Sequence, residues 1–256
     1  DYDSLQYNYG DQCRGEIQVD AANNIYVTSS TRSFNFPTVN SFDNTLGGRQ
    51  DGIISKLNSN LSSLLYSSYI GGSSVDAGYG LIVMPNQQVY VTGGTSSQNF
   101  PFVSGGYQSS YQGGIADGYV IRISASGNTV LNGTYFGTPQ YDQSYFIQSD
   151  KYSNIYIYGQ SLGNVPVVVA SNAATIFSVS GTHQFISRFN STLNTLNMST
   201  KFGNQQNDVD ISPSAFSVDR CNNIYVSGWG GNLLTQNQPM ANMPLMIPTQ
   251  GRTTGY

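Results

Sequence analysis

The chain has 256 residues, only 9% of them charged, with a formal net charge of −4 and a pI near 4.7. That balance excludes a nucleic-acid partner, which would need clustered Lys and Arg, whereas the ten basic residues here are scattered. No run approaches the roughly 20 apolar residues of a membrane helix, and the strands lack the apolar outward face of a membrane barrel, so no membrane insertion is expected.

Solubility in such a chain comes from amides and hydroxyls, since Tyr (19), Gly (28), Asn and Ser are abundant. The profile suits a secreted or cell-surface β protein. The N-terminal DYDSLQYNYG has neither the basic region nor the apolar stretch of a signal peptide. A removed leader or a start within a longer protein is the expectation.

Taken in chain order, the first strand-like segment is Gly15 to Val19, followed by the polar turn DAANN and the alternating segment Ile25-Tyr26-Val27-Thr28. A long loop, about Ser30 to Gln50, leads to a third strand at Ile53 to Leu57 and a fourth at Leu64 to Tyr69. The same order then returns. First strands recur at Gly80 to Val83, Tyr145 to Ser149 and Ser214 to Val218, and each is followed by a copy of the Tyr26 segment ending at Val91, Ile157 and Val226. Third strands recur at Tyr119 to Ile123 and Phe185 to Phe189, fourth strands at Val130 to Tyr135 and Leu196 to Lys201. No segment shows helical periodicity beyond one or two turns.

A fixed period of about 66 residues signals a repeat architecture. Four antiparallel strands in that length describe a propeller blade; solenoid periods are usually shorter and strings of sandwiches longer. The expectation is an all-β chain, a β-propeller of four-stranded antiparallel blades spanning approximately 11–70, 76–136, 142–202 and, in part, 208–256. The last repeat stops where a third strand should begin, and Leu5 to Gly10 resembles a fourth-strand ending. An incomplete arc of a larger propeller is expected rather than a closed four-bladed disc.

Residues repeated in every copy are expected to hold the repeat together. Asp76, Asp142 and Asp208 recur at steps of 66, as do Lys56, Arg122 and Arg188, while Asp51 and Asp117 are followed by His183. Metal or anion sites would be the functional reading of these series; ties between a blade and its neighbour are the structural one. The Asp20 turn and its copies lack the Gly and Glu of a calcium loop and are read as turns. No cofactor is expected, and the one metal kept open is a calcium ion in a long loop.

No catalytic constellation is visible. Glu16 is the only Glu, His183 the only His, and neither has a partner of the required type near it in sequence. Cys13 and Cys221 lack CxxC spacing; they would pair only if the first and last repeats meet, and two buried thiols are the other reading. What remains is the long loops, whose aromatics suit a glycan or protein ligand. The candidates for ligand contact are Trp229, Tyr107, Tyr111 and Phe42, whereas the Asn-x-Pro segments at Pro37, Pro101, Pro166 and Pro244 read as loop anchors.

The run NNIYVTSSTRSFNFP (Asn23 to Pro37), with DGIISKLN (Asp51 to Asn58) and LLYSSYIGG (Leu64 to Gly72), resembles the β-propeller repeat known as SBBP over nearly the whole chain. GDQCRGEIQVD (Gly10 to Asp20) and DRCNNIYVSGWGG (Asp219 to Gly231) are similar to stretches of very large secreted Bacteroidetes proteins. Those often carry a gliding-motility-associated sorting domain read by the type IX secretion system. The resemblance implies export and cell-surface display, with other envelope or secretion-system proteins as partners, and brings no catalytic residues. A non-catalytic module for adhesion, ligand binding or surface assembly is therefore expected. The alternatives are a polysaccharide lyase or glycoside hydrolase on a propeller scaffold, and a structural subunit of an extracellular assembly.

Overall fold

The computed structural model describes Leu5, residues 14–203, Val209 and residues 211–230. Among these there are strands and turns and no helix. The first antiparallel sheet is β1 (Glu16–Val19), β2 (Ile25–Thr31), β3 (Asp51–Leu57) and β4 (Leu64–Ile70), in that order. The second is β5 (Asp76–Val83), β6 (Val89–Thr95), β7 (Asp117–Ile123) and β8 (Val130–Phe136). The third is β9 (Asp142–Ser149), β10 (Ile155–Ser161), β11 (Gln184–Phe189) and β12 (Leu196–Phe202); β13 (Ile211–Val218) and β14 (Ile224–Gly230) form a two-stranded fourth.

β5 and β9 begin several residues before the segments legible by alternation. The reason is a register shift that breaks the period of two, between Gly78 and Gly80 in one sheet and between Tyr158 and Gly159 in the other. The turn joining the first two strands repeats its backbone. Asn23, Gln87, Ser153 and Asn222 all take φ near +63° at the same turn position, a left-handed conformation in which Asn is enriched.

The core lies between successive sheets. Tyr26, Ile54 and Tyr66 of the first sheet pack against Leu81, Val91 and Tyr119 of the second. Tyr90, Val120 and Phe136 of the second meet Ile147, Ile157 and Phe185 of the third, and Tyr156, Tyr158 and Ile186 of the third meet Phe216 of the fourth. Each middle strand thus uses both faces, Tyr toward the next sheet and Ile or Val toward the previous one. β5 packs against β1, β2 and β3, and β9 packs against β5, β6 and β7.

First strands also touch one another. Glu16 Oε2 and Gln18 Oε1 of β1 accept the backbone N–H groups of Leu81 (2.8 Å) and Val83 (3.3 Å), donors on the β5 edge that has no strand neighbour. Arg14 lies 4.4 Å above the Tyr145 ring and donates to the Pro213 carbonyl at 3.1 Å, so the first, third and fourth sheets meet there. Leu5 is buried beside Tyr79, Tyr145 and Val209, among first-strand residues, and its carbonyl accepts from Gln143. It is not at the outer edge of the last sheet, where a fourth strand would run; residues 6–10 lie outside the described residues.

Candidate functional site

Three constructions use the residues that the sequence singles out: carboxylates at the seams between sheets, cations over aromatic rings, and the long loops.

At the seams, Asp51 opens β3 and Asp76 opens β5, while Asp117 opens β7 and Asp142 opens β9. All four side chains are buried. One oxygen of each holds a backbone N–H four or five residues upstream: Gly47 to Asp51 at 2.9 Å, Gly72 to Asp76 at 2.8 Å, Gln112 to Asp117 at 2.6 Å and Thr138 to Asp142 at 2.6 Å. Ser97 Oγ also donates to Asp76 and Thr138 Oγ1 to Asp142, both at 2.8 Å. The other oxygen of each carboxylate has no hydrogen-bond partner.

Burial therefore pushes these acids up, Asp51, Asp76 and Asp142 to about 6 and Asp117 to about 8. For Asp51 the charge of Asp76, and for Asp117 that of Asp142, adds to the rise. The carboxylates of Asp51 and Asp117 rest on the Cα atoms of Gly71 and Gly137, which is why glycine recurs there. His183, which stands in place of a third such Asp, puts Nδ1 2.9 Å from the Ser161 carbonyl. Asp208 lies outside the described residues; in the fourth sheet Ile211 faces Gly230 as Asp142 faces Ser161.

The basic series is cross-strand. Lys56, Arg122 and Arg188 sit directly opposite Tyr26, Tyr90 and Tyr156. Their charges lie 4.9, 6.0 and 5.8 Å from those ring centroids. Lys56 also reaches Asp20 at 3.8 Å and Gln87 of the next sheet at 3.2 Å, and Arg122 grips the Gln88 amide oxygen with two nitrogens. The Asp20 carboxylate is fully engaged within its own turn, accepting from the backbone of Ala22 and Asn24, the Asn24 amide and the Tyr26 hydroxyl. Asp150 and Asp219 repeat the arrangement.

The long loops turn back along the outer strands. Val39 exchanges both backbone bonds with Ser67 of β4, Tyr135 of β8 donates to Gln108, and Val168 exchanges both bonds with Ser199 of β12. A strand edge that would template aggregation is thereby covered. Two tyrosines pin the loops: Tyr69 Oη donates to the Ser33 carbonyl and accepts from Phe36 N, and Tyr135 Oη does the same with Ser97 and Phe100. In the third copy Lys201 replaces the tyrosine and bonds Asn164 at 2.7 Å. The Tyr pins were missed from sequence because each links residues more than 30 apart; the recurrence of Tyr69 and Tyr135 beside Gly71 and Gly137 was the available signal.

The four ligand-contact candidates are not brought together. Phe42 packs edge-on against Phe102, and Tyr111 against Tyr135, both half-buried on the core between the first two sheets. Tyr107 is 39% exposed, with its ring tilted over Phe189 and its N–H on the Leu193 carbonyl. Trp229 is 75% exposed on β14, opposite Ser212. Cys221 is a free, exposed thiol in the β13–β14 turn, which corrects the expectation of two buried thiols; Cys13 lies outside the described residues. Among the described residues, no three His, Cys, Asp or Glu side chains gather to hold a metal ion.

Fold and site define the class as an all-β, repeat-like array of antiparallel sheets, three of four strands and one of two among the described residues, with repeated aspartates buried at the seams. No family model matches the chain, and no curated protein matches it.

Proposed function

We propose that the chain is an arc of a β-propeller, of the SBBP kind, acting as a non-catalytic, secreted or surface-displayed module for adhesion, ligand binding or surface assembly. The arc reading is supported by first strands that contact one another and by a core that lies between successive sheets. The binding reading is carried by one observation: large aromatics stand in solvent on the loops and on the last strand, Phe34 at 83%, Trp229 at 75% and Tyr107 at 39% exposure. Such rings beside amides suit flat sugar faces and peptide surfaces.

The acids with raised pKa are the natural general-acid candidates of the enzyme reading. They lie at the seams with no exposed surface, out of reach of a polymer chain, so binding is the better reading. Retention of the full chain on panels of immobilised polysaccharides and envelope proteins tests it. The expected result is saturable retention by at least one class of ligand, weakened at least about fivefold by combining Trp229→Ala with Tyr107→Ala. Retention unchanged by both substitutions would place the ligand elsewhere.

A further inference from the structure

The three long loops share a course but not a composition. Residues 96–116, between β6 and β7, and residues 162–183, between β10 and β11, contain no Lys, Arg, Asp or Glu. Residues 32–50, between β2 and β3, carry two of the chain's ten basic residues, Arg32 and Arg49, and one acid, Asp43. Arg32 directly follows β2, where Ser96 and Leu162 follow β6 and β10; Arg49 stands two residues before β3, where Ile115 stands before β7. Phe34, ahead of Asn35-Phe36-Pro37, is matched by Gln98 and Gly163 ahead of the other Asn-x-Pro segments. Residues that recur hold the repeat together. These three do not recur, so their role lies elsewhere.

The first loop presents them already formed. Phe34 is 83% exposed, yet both flanks are fixed: the buried Tyr69 hydroxyl donates to the Ser33 carbonyl at 2.7 Å and accepts from Phe36 N at 3.0 Å. Arg32 is exposed and its Nε donates to Gln50 Oε1 at 3.2 Å, while Gln50 Nε2 reaches the Asp76 carbonyl at 3.4 Å. Arg49, next to Gln50, is also exposed, and its backbone N–H is tied to the Ser74 carbonyl at 3.1 Å. Asp43 is engaged in its own turn, accepting from Thr45 N and Oγ1. Ser33 Oγ donates to Asn35 Oδ1, so the Asn35 amide meets a ligand as a donor through Nδ2.

We propose that this loop binds the carboxylate-bearing sugars of an acidic polysaccharide, with Phe34 under a sugar face, Asn35 donating to a hydroxyl, and Arg32 and Arg49 on carboxylates. The inference rests on the binding reading above and names its ligand class. A guanidinium matches a carboxylate through two parallel N–H bonds, and an exposed ring stacks on the apolar face of a sugar. A chain of net charge −4 repels a polyanion in general, so the attraction must be local. This is the one long loop of the three that carries cations. An acidic peptide fits less well, because so exposed a ring offers a face to stack on rather than a pocket for an anchoring side chain.

Calorimetry of the full chain with tetramers of galacturonate, mannuronate and guluronate tests this, alongside their methyl esters, which keep the ring and lose the charge. The expected result is saturable, salt-sensitive binding of at least one tetramer, with its ester bound roughly tenfold more weakly. Arg32→Gln combined with Arg49→Gln should weaken binding roughly tenfold, and Phe34→Ala roughly fivefold. Lys151→Gln combined with Arg220→Gln removes the same charge from two other exposed turns and should leave binding unchanged. Where an arginine variant fails to fold, the ester comparison on the unaltered chain decides. Binding of no tetramer, equal binding of the ester, equal weakening by the K151Q/R220Q pair, or equal binding of hexaglutamate would overturn the proposal. Retention of the chain by another polysaccharide or an envelope protein would then leave the wider binding reading standing, whereas loss of all retention would overturn both.

Discussion

The Asp117 carboxylate lies so close to the Cα of Gly137 that a Cβ on that glycine would sit 2.3 Å from the carboxyl carbon. Asp51 and Gly71 stand in the same relation, also at 2.3 Å. A Gly137→Ala change therefore forces the buried carboxylate off its bond with Gln112 N, at a cost of about 1–3 kcal/mol. Equilibrium urea unfolding of G137A and G71A should show comparable losses at the two equivalent seams.

Stability should fall as pH rises. The seam aspartates keep their protons in the folded chain up to about pH 6, and Asp117 up to about pH 8, whereas in the unfolded chain they ionise near pH 4. Their contribution is thus fully present below pH 4 and is lost above it. The slope is about 1.4 kcal/mol per pH unit for each such group, levelling beyond pH 6 for three of them and beyond pH 8 for Asp117. Thermal unfolding across pH 4–9 checks the trend, and Asp117→Asn should flatten the part between pH 6 and 8.

Removing one pinning hydroxyl tests how the long loops are held. Tyr69→Phe deletes a donor to Ser33 and an acceptor for Phe36 N, and should cost about 1–3 kcal/mol. Hydrogen exchange should quicken in residues 33–43 of Y69F before it quickens in β2 or β3. Uniform acceleration over the whole sheet would show that the tyrosine supports the core rather than the loop.

Trp229 is 75% exposed, whereas Tyr158 is buried among other rings. Trp229→Ala should change stability by less than about 0.5 kcal/mol, while Tyr158→Ala, which removes a buried ring lying between Phe146, Phe202 and Phe216, should cost about 3–5 kcal/mol. Melting temperatures of the two variants give the comparison.

The strand repeats were legible in the sequence because alternation and period act over neighbouring residues: β2, β6, β10 and β14 are all centred on the Tyr segment that recurs there. The starts of β5 and β9 were not, because their Asp and Gly residues have low strand propensity and a bulge interrupts the alternation. The course of the loops was also hidden. Val39 meets Ser67 through backbone groups alone, and backbone bonds leave no mark on residue type. Leu5 was misplaced for a related reason: resemblance to a strand ending is local, while its burial beside Tyr79 and Tyr145 depends on where three first strands converge. Of the candidate site, the repeated acids and cations were visible as a periodic series, but that the acids are buried in coupled pairs, and that Tyr225 is exposed where Tyr26, Tyr90 and Tyr156 are buried, required the packing.

The central claim is binding without chemistry, and product analysis tests it most directly. The purified chain is incubated to equilibrium with each polysaccharide that retains it, and the polymer is then examined for new chain ends. Unchanged chain length with continued retention is the predicted result. New reducing ends or unsaturated uronic products would contradict it and return the chain to the enzymes.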